Sequence, residues 1–204
     1  MIHKIDSIYY KIYLKNIIYI MTKPEESLLK LVKRLIVSNG VTIYHAIGEL
    51  IDNSLDEKAK QIHLLYNDDY VIVADDGIGF DNIGIYNIHC EATKEDDSDK
   101  IGRHGVGGKV GCLFVGDEPN IISNNMRNYT YLSRENYVSY DPKLNPSPPK
   151  EMIEIIHKHG LEHLNTHIII KKIREKNKID EFRMKNYIFQ SYENFISRGI
   201  KIFV

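Results

Sequence analysis

Glu49 and Asn53 lie four residues apart in the run Glu49-Leu50-Ile51-Asp52-Asn53-Ser54-Leu55-Asp56. On a helix that spacing projects both side chains from one face, with about 5–6 Å between their Cβ atoms. A carboxamide oxygen placed there suits a hard cation such as magnesium, and the neighbouring carboxylate can accept a proton from an activated water. Asp52 and Asp56 form a second pair at the same spacing. The alternative for all four is the solvated face of an ordinary amphipathic helix. Asp75-Asp76-Gly77-Ile78-Gly79 follows an apolar run. Its glycines let backbone approach a flat ligand, and a carboxylate can accept from an exocyclic amine such as adenine N6; a plain turn is the alternative. In Gly102-Arg103-His104-Gly105-Val106-Gly107-Gly108-Lys109 the glycines free backbone N–H groups to point inward. A helix starting there would favour phosphate.

Two familiar glycine signatures fail on the residues themselves. A Walker A loop needs Ser or Thr after Gly-Lys, and Gly108-Lys109 is followed by Val110. A dinucleotide fingerprint needs GxGxxG after a strand, whereas Gly105, Gly107 and Gly111 give GxGxxxG after a polar loop.

The surrounding residues set out the elements that must position these motifs. Leu28, Leu29, Leu31, Val32, Leu35 and Ile36 predict a helix over 25–37, ended by Ser38-Asn39-Gly40. A second helix is predicted over 43–58, its stripe formed by Ile43, Ala46, Ile47, Leu50, Ile51, Ser54 and Leu55. Runs 62–66 and 70–74, joined by Asn67-Asp68-Asp69, read as a hairpin. A short helix over 81–90, a polar glycine-rich loop over 91–108 and a helix over 108–115 follow. Strands are predicted at 129–133, 137–140, 152–156 and 166–173, with the Pro-rich stretch 141–149 as a surface loop. Ile179, Phe182, Ile188, Tyr192, Phe195 and Ile196 mark a last helix ended by Gly199, and 199–204 a last strand. Paired strands with helices between them predict an α+β fold, a two-layer sandwich with helices on one face of a mixed, mostly antiparallel sheet.

Composition narrows the function class. The 204 residues fit one domain over 21–204, with the Ile- and Tyr-rich stretch 1–20 as an N-terminal arm or extension. Lys4, Asp6, Lys11 and Lys15 break up that stretch, so it reads neither as a membrane span nor as a signal peptide, and no membrane partner is expected. A formal net charge of -1 leaves no whole-chain footprint for nucleic acid. Cys90 and Cys112, with no companion cysteines, argue against a disulfide framework or a structural zinc and read as small packing residues. An intracellular setting, cytoplasmic or nuclear, is expected.

In order and spacing the three motifs resemble the GHKL superfamily, named for gyrase, heat-shock chaperone, histidine kinase and MutL. The residues that carry the resemblance are ELIDNSLD at 49–56, DDGIG at 75–79 and GRHGVGG at 102–108, with the wording closest to the microrchidia, type II topoisomerase and MutL branches. The resemblance implies a Bergerat ATP-binding fold that uses ATP and Mg2+. It implies Glu49 as general base, Asn53 as the magnesium ligand and Asp75 as the adenine acceptor. Gly77 and Gly79 would let the base lie close, and Thr166 would support it through water. Gly102 would open the phosphate loop, and the backbone of Gly105, Val106, Gly107 and Gly108 would cradle the terminal phosphates. Lys94 resembles a lid lysine, and Lys109 stands where microrchidia proteins also carry lysine. Arg103 and His104 are expected to face solvent. Asn165 departs from the family's usual glycine before Thr166. The chain also stops at Val204, before the second domain that in topoisomerases and MutL supplies a lysine to the γ-phosphate. A fragment, a lysine from another chain, or slow hydrolysis is therefore expected.

The function implied is an ATPase whose lid, 91–108, closes over ATP and drives homodimerisation or binding of a partner chain. DNA or a client protein would be possible partners. A histidine-kinase-like phosphotransfer domain is one alternative, set back by having only His3 and His45 upstream of the Glu49 run. A nucleotide-binding module without hydrolysis is the other.

Overall fold

A computed structural model describes residues 42–79, 107–131, 147–174 and 178–204. The arm 1–20, the helices expected over 25–37 and 81–90, and the strand at 137–140 lie outside these residues, as does the loop over 91–108 except its last two positions. Cys90, Lys94, Gly102, Arg103, His104, Gly105 and Val106 are outside them too.

Helix α1, Ile43–Asp56, buries Ile43, Ala46, Ile47, Leu50, Ile51 and Ser54, close to the stripe expected from its periodicity. It ends where Lys58 adopts a left-handed φ of 64°. There the Lys58 N–H donates to Leu55 O and the Ala59 N–H to Ser54 O, which satisfies carbonyls the helix leaves open. Strands β1, Gln61–Tyr66, and β2, Tyr70–Asp75, pair antiparallel as the expected hairpin. The Asn67 Oδ1 in its turn accepts from the N–H groups of Asp69 and Tyr70. Helix α2, Gly107–Val115, leads into β3, Gly116–Ser123, and β4, Asn128–Tyr131. Helix α3, Lys150–Lys158, β5, Thr166–Ile173, helix α4, Glu181–Ser197, and β6, Lys201–Phe203, complete the described elements.

The six strands form one sheet in the order β4-β3-β5-β2-β1-β6, and the β1–β6 pair alone is parallel. This is the expected α+β sandwich with a mostly antiparallel sheet. Alternation along β2 assigns its two faces. Tyr70, Ile72 and Ala74 pack with Met152 and Ile156 of α3 and with Leu161, Leu164 and Ile169. Asp75, of opposite parity, meets Ser54 of α1. Helix α3 therefore covers the face opposite α1, in addition to the helical layer expected there.

Two expectations are corrected. Residues 152–156 are helical, within α3, and not a strand: Met152 and Ile156, four apart, are buried while Glu151, Glu154 and His157 are exposed. The β-favouring isoleucines masked this 3.6-residue period. In α4 the core contacts come from Met184, Ile188 and Tyr192, and Phe182 is 74% exposed. Strand β3 was not expected at all. Gly116, Asp117 and Pro119 are turn residues, yet Pro119 lies just beyond the β4 pairing, where β3 has one neighbour and a missing N–H is tolerated.

Candidate functional site

Asp75 ends β2 with its side chain 3% exposed. Its Oδ2 accepts from the Ser54 hydroxyl at 2.8 Å, and its Oδ1 accepts from the Gly77 N–H at 2.9 Å. Burial pushes its pKa up to about 6; the Ser54 and Gly77 bonds oppose the shift, and Asp76 and Glu57 add to it. The carboxylate is thus held by one donor on each oxygen, leaving acceptor capacity for a ligand amine.

The loop after β2 is fixed from three sides. Asp76 Oδ1 accepts from the N–H groups of Lys60 and Gln61, and the Ile78 N–H donates to Glu57 O. Gly77 packs so closely that a Cβ would stand 2.7 Å from Glu57 O and 2.9 Å from Asp75 Oδ1. Gly79 has a φ of +76°, and a Cβ there would meet Asn165 Nδ2 and Ser123 Oγ within 2.7 Å. Only glycine satisfies both that backbone and that space. Thr166 stands opposite Asp75 in the β2–β5 register, 3% exposed, with its Oγ1 3.2 Å from Ser123 Oγ.

On α1, Glu49 and Asn53 are half-buried, and among the described residues neither side chain forms a hydrogen bond. Burial first, and the charge of Asp52 second, push the Glu49 carboxyl up to about 8. Asp52 is itself raised to about 6 by burial, against a hydrogen bond from Tyr192 and with Asp56 adding to the rise. The Tyr192 hydroxyl lies 2.9 Å from Asp52 Oδ1 and 3.0 Å from Gly48 O, so α4 braces the back of α1.

Gly107 and Gly108 form the first turn of α2, and this end of the helix lies against Glu49. A Cβ on Gly107 would fall inside the Glu49 carboxylate, and one on Gly111 would stand 2.6 Å from Ala46 O. At Gly111 the two helices therefore touch backbone to backbone, which glycine there permits, while Gly107 lies against the end of the Glu49 side chain. Lys109 is 5% exposed, an unusual burial for an ammonium-bearing residue. Gly111→Ala is expected to push α2 off α1, lowering Tm by roughly 4 °C or more and ATP affinity by about tenfold or more. Thermal melts and nucleotide titration would check both.

The sequence-derived residues thus fall into two groups bridged by α1. Glu49 meets Gly107 at the middle of α1, and Ser54, near its C-terminal end, meets Asp75, whose loop carries Gly77 and Gly79 and whose cross-strand neighbour is Thr166. Sequence reasoning missed three partners: Asn165, Ser123 and Tyr192. Asn165 alone carried a signal, as a departure before Thr166. A family model described as "Histidine kinase-, DNA gyrase B-, and HSP90-like ATPase" matches residues 41–166. The chain belongs to this ATPase family.

Among solved structures, the ATPase and transducer domains of DNA topoisomerase II from Balamuthia mandrillaris are similar at a TM-score of 0.52 and 15% identity. The match covers 78% of this chain and 46% of that one, so the chain spans about half of the topoisomerase structure. At this identity the likeness establishes the fold, a six-stranded GHKL-type sheet with its helices. No curated protein matches the chain significantly. Membership makes this an ATP-binding domain of the GHKL type. Among the described residues no helix is long and apolar enough to cross a membrane.

Proposed function

We propose that the chain is a magnesium-dependent ATPase in which Glu49 activates the attacking water. The lid, 91–108, closes on ATP and drives pairing of two copies or capture of a partner chain. One observation carries the reading: a single helix, α1, presses Glu49 against Gly107 and hydrogen-bonds Asp75 through Ser54. A base, a glycine-opened helix N-terminus and an amine acceptor are thereby set in one frame.

The residues suit each part of ATP. Asp75 accepts a hydrogen bond from the exocyclic amine of adenine on a lone pair left free by Ser54 and Gly77, while Gly77 and Gly79 admit the ring. Thr166 holds a water beside the base. The backbone of Gly105, Val106, Gly107 and Gly108, opened by Gly102, receives the terminal phosphates at the start of α2. Lys94 and Lys109 add positive charge. Among the described residues no three His, Cys, Asp or Glu side chains group as a metal cage. The carboxamide oxygen of Asn53 would suit magnesium, with nucleotide oxygens and waters completing the shell, as is usual for this ion. Bound there, the ion would neutralise phosphate charge. Burial raises the Glu49 carboxyl to about 8, which makes its carboxylate a stronger base for the attacking water and its activity as a base rise with pH through that value.

Sedimentation velocity tests the closure. With magnesium and a non-hydrolysable ATP analogue the protein is expected to sediment as a larger species than without nucleotide. Identical profiles would remove closure-driven pairing from the account.

A further inference from the structure

Asn165 stands where the GHKL family usually has glycine, and here its backbone N–H and both side-chain polar atoms are engaged. Its backbone N–H donates to Asp75 O at 2.8 Å. Its Nδ2 donates to Gly77 O at 2.9 Å, and its Oδ1 accepts from the Asn125 N–H at 2.9 Å. One residue thus joins the end of β2, the glycine loop after it, and the turn between β3 and β4. The same Nδ2 bounds the space beside Gly79, 2.6 Å from where a Cβ would stand. A glycine at 165 could make only the first of these bonds.

The turn it holds is strained. Asn124, Asn125 and Met126 have successive φ values of 55°, 53° and 63°, a left-handed run that side-chain-bearing residues rarely adopt. Such backbone persists where surrounding contacts over-determine it, and it concentrates at ligand clamps. The Arg127 N–H to Asn124 O bond closes the turn locally, and the Asn125–Asn165 bond ties it to the Asp75 loop.

We propose that Asn165 is a positioning residue for the base of the nucleotide. By holding Gly77 O and Asp75 O together it fixes the Gly77 N–H on Asp75 Oδ1, and so the direction in which the carboxylate faces an adenine amine. By gripping Asn125 it makes the β3–β4 turn part of the rim beside Gly79. The inference rests on the reading of Asp75 as the adenine acceptor.

Calorimetric titration of Mg-ATP into the full chain tests it. Asn165→Ala removes both side-chain bonds. Asn165→Asp is nearly isosteric, keeps the acceptor for Asn125, and sets an oxygen against Gly77 O. Each variant is expected to raise Kd about tenfold, the effect of one or two lost hydrogen bonds, while binding still saturates at the wild-type stoichiometry. A merely structural role would instead lower the number of binding-competent sites at unchanged Kd, and that result would overturn the inference. So would a Kd within about twofold of wild type in either folded variant; should Asn165→Ala not fold, Asn165→Asp decides alone. If the wild-type chain itself binds no ATP, the reading of Asp75 fails and this inference falls with it. Wild-type binding with indifferent variants sinks the inference alone.

Discussion

Asp75→Asn is expected to weaken ATP binding by about 10²–10³-fold, because a site built to hydrogen-bond a group discriminates steeply once that partner is removed. The amide would turn either its oxygen or its NH2 toward the adenine amine. With the oxygen held by the Gly77 N–H, the NH2 faces Ser54, which can then donate its own proton to Leu50 O 3.3 Å away. The fold survives, and the ligand loses a charged acceptor.

Stability should move the other way, and its pH dependence gives an independent check. Asp75 has a folded pKa of about 6 against an ordinary 3.8. Between those values the folded state keeps a proton that the unfolded chain has released, so stability falls as pH rises through the window and levels above it. The total is on the order of 2–3 kcal/mol at 1.36 kcal/mol per unit. Asparagine carries no such penalty. Melting curves from pH 4 to 7 should therefore show the variant gaining on wild type as pH rises, ending at least as stable. A variant that loses ATP binding together with stability at pH 7 would contradict this picture.

Glu49→Ala is expected to separate binding from turnover. Positioned acid–base groups contribute about 10²–10⁴-fold to rate, so hydrolysis should fall by that factor. The Kd for Mg-ATP should stay within about threefold of wild type. Glu49→Gln is the companion variant, since it keeps the volume packed against Gly107 and removes a half-buried carboxyl whose pKa burial has raised to about 8. It should bind as well as wild type and hydrolyse as poorly as the alanine variant. Unchanged phosphate release in both would take Glu49 out of the mechanism.

What could be read from the sequence was whatever depended on local period. The α1 stripe and the β1–β2 hairpin appear at nearly their expected bounds, because burial there repeats at 3.6 and 2 residues. The motif residues stood out because they cluster in short runs, and of them Lys94, Gly102, Gly105 and Val106 lie outside the described residues. Helix α3 was misread because Ile153, Ile155 and Ile156 favour strands individually while their arrangement serves a helix face. Strand β3 was hidden by Asp117 and Pro119, whose turn preference is overridden by pairing with β5. The bracing of the site was illegible for a different reason. Tyr192 reaches Asp52 across 140 residues, and Asn165 reaches Gly77 across 88. No local pattern encodes a partner that only the folded sheet brings near.

The most direct measurement is a calorimetric titration of the wild-type chain with ATP, once with magnesium and once with the metal chelated. The account predicts saturable one-to-one binding that tightens with magnesium. A folded chain that takes up no ATP heat in either buffer, or binds equally well without the metal, would contradict it.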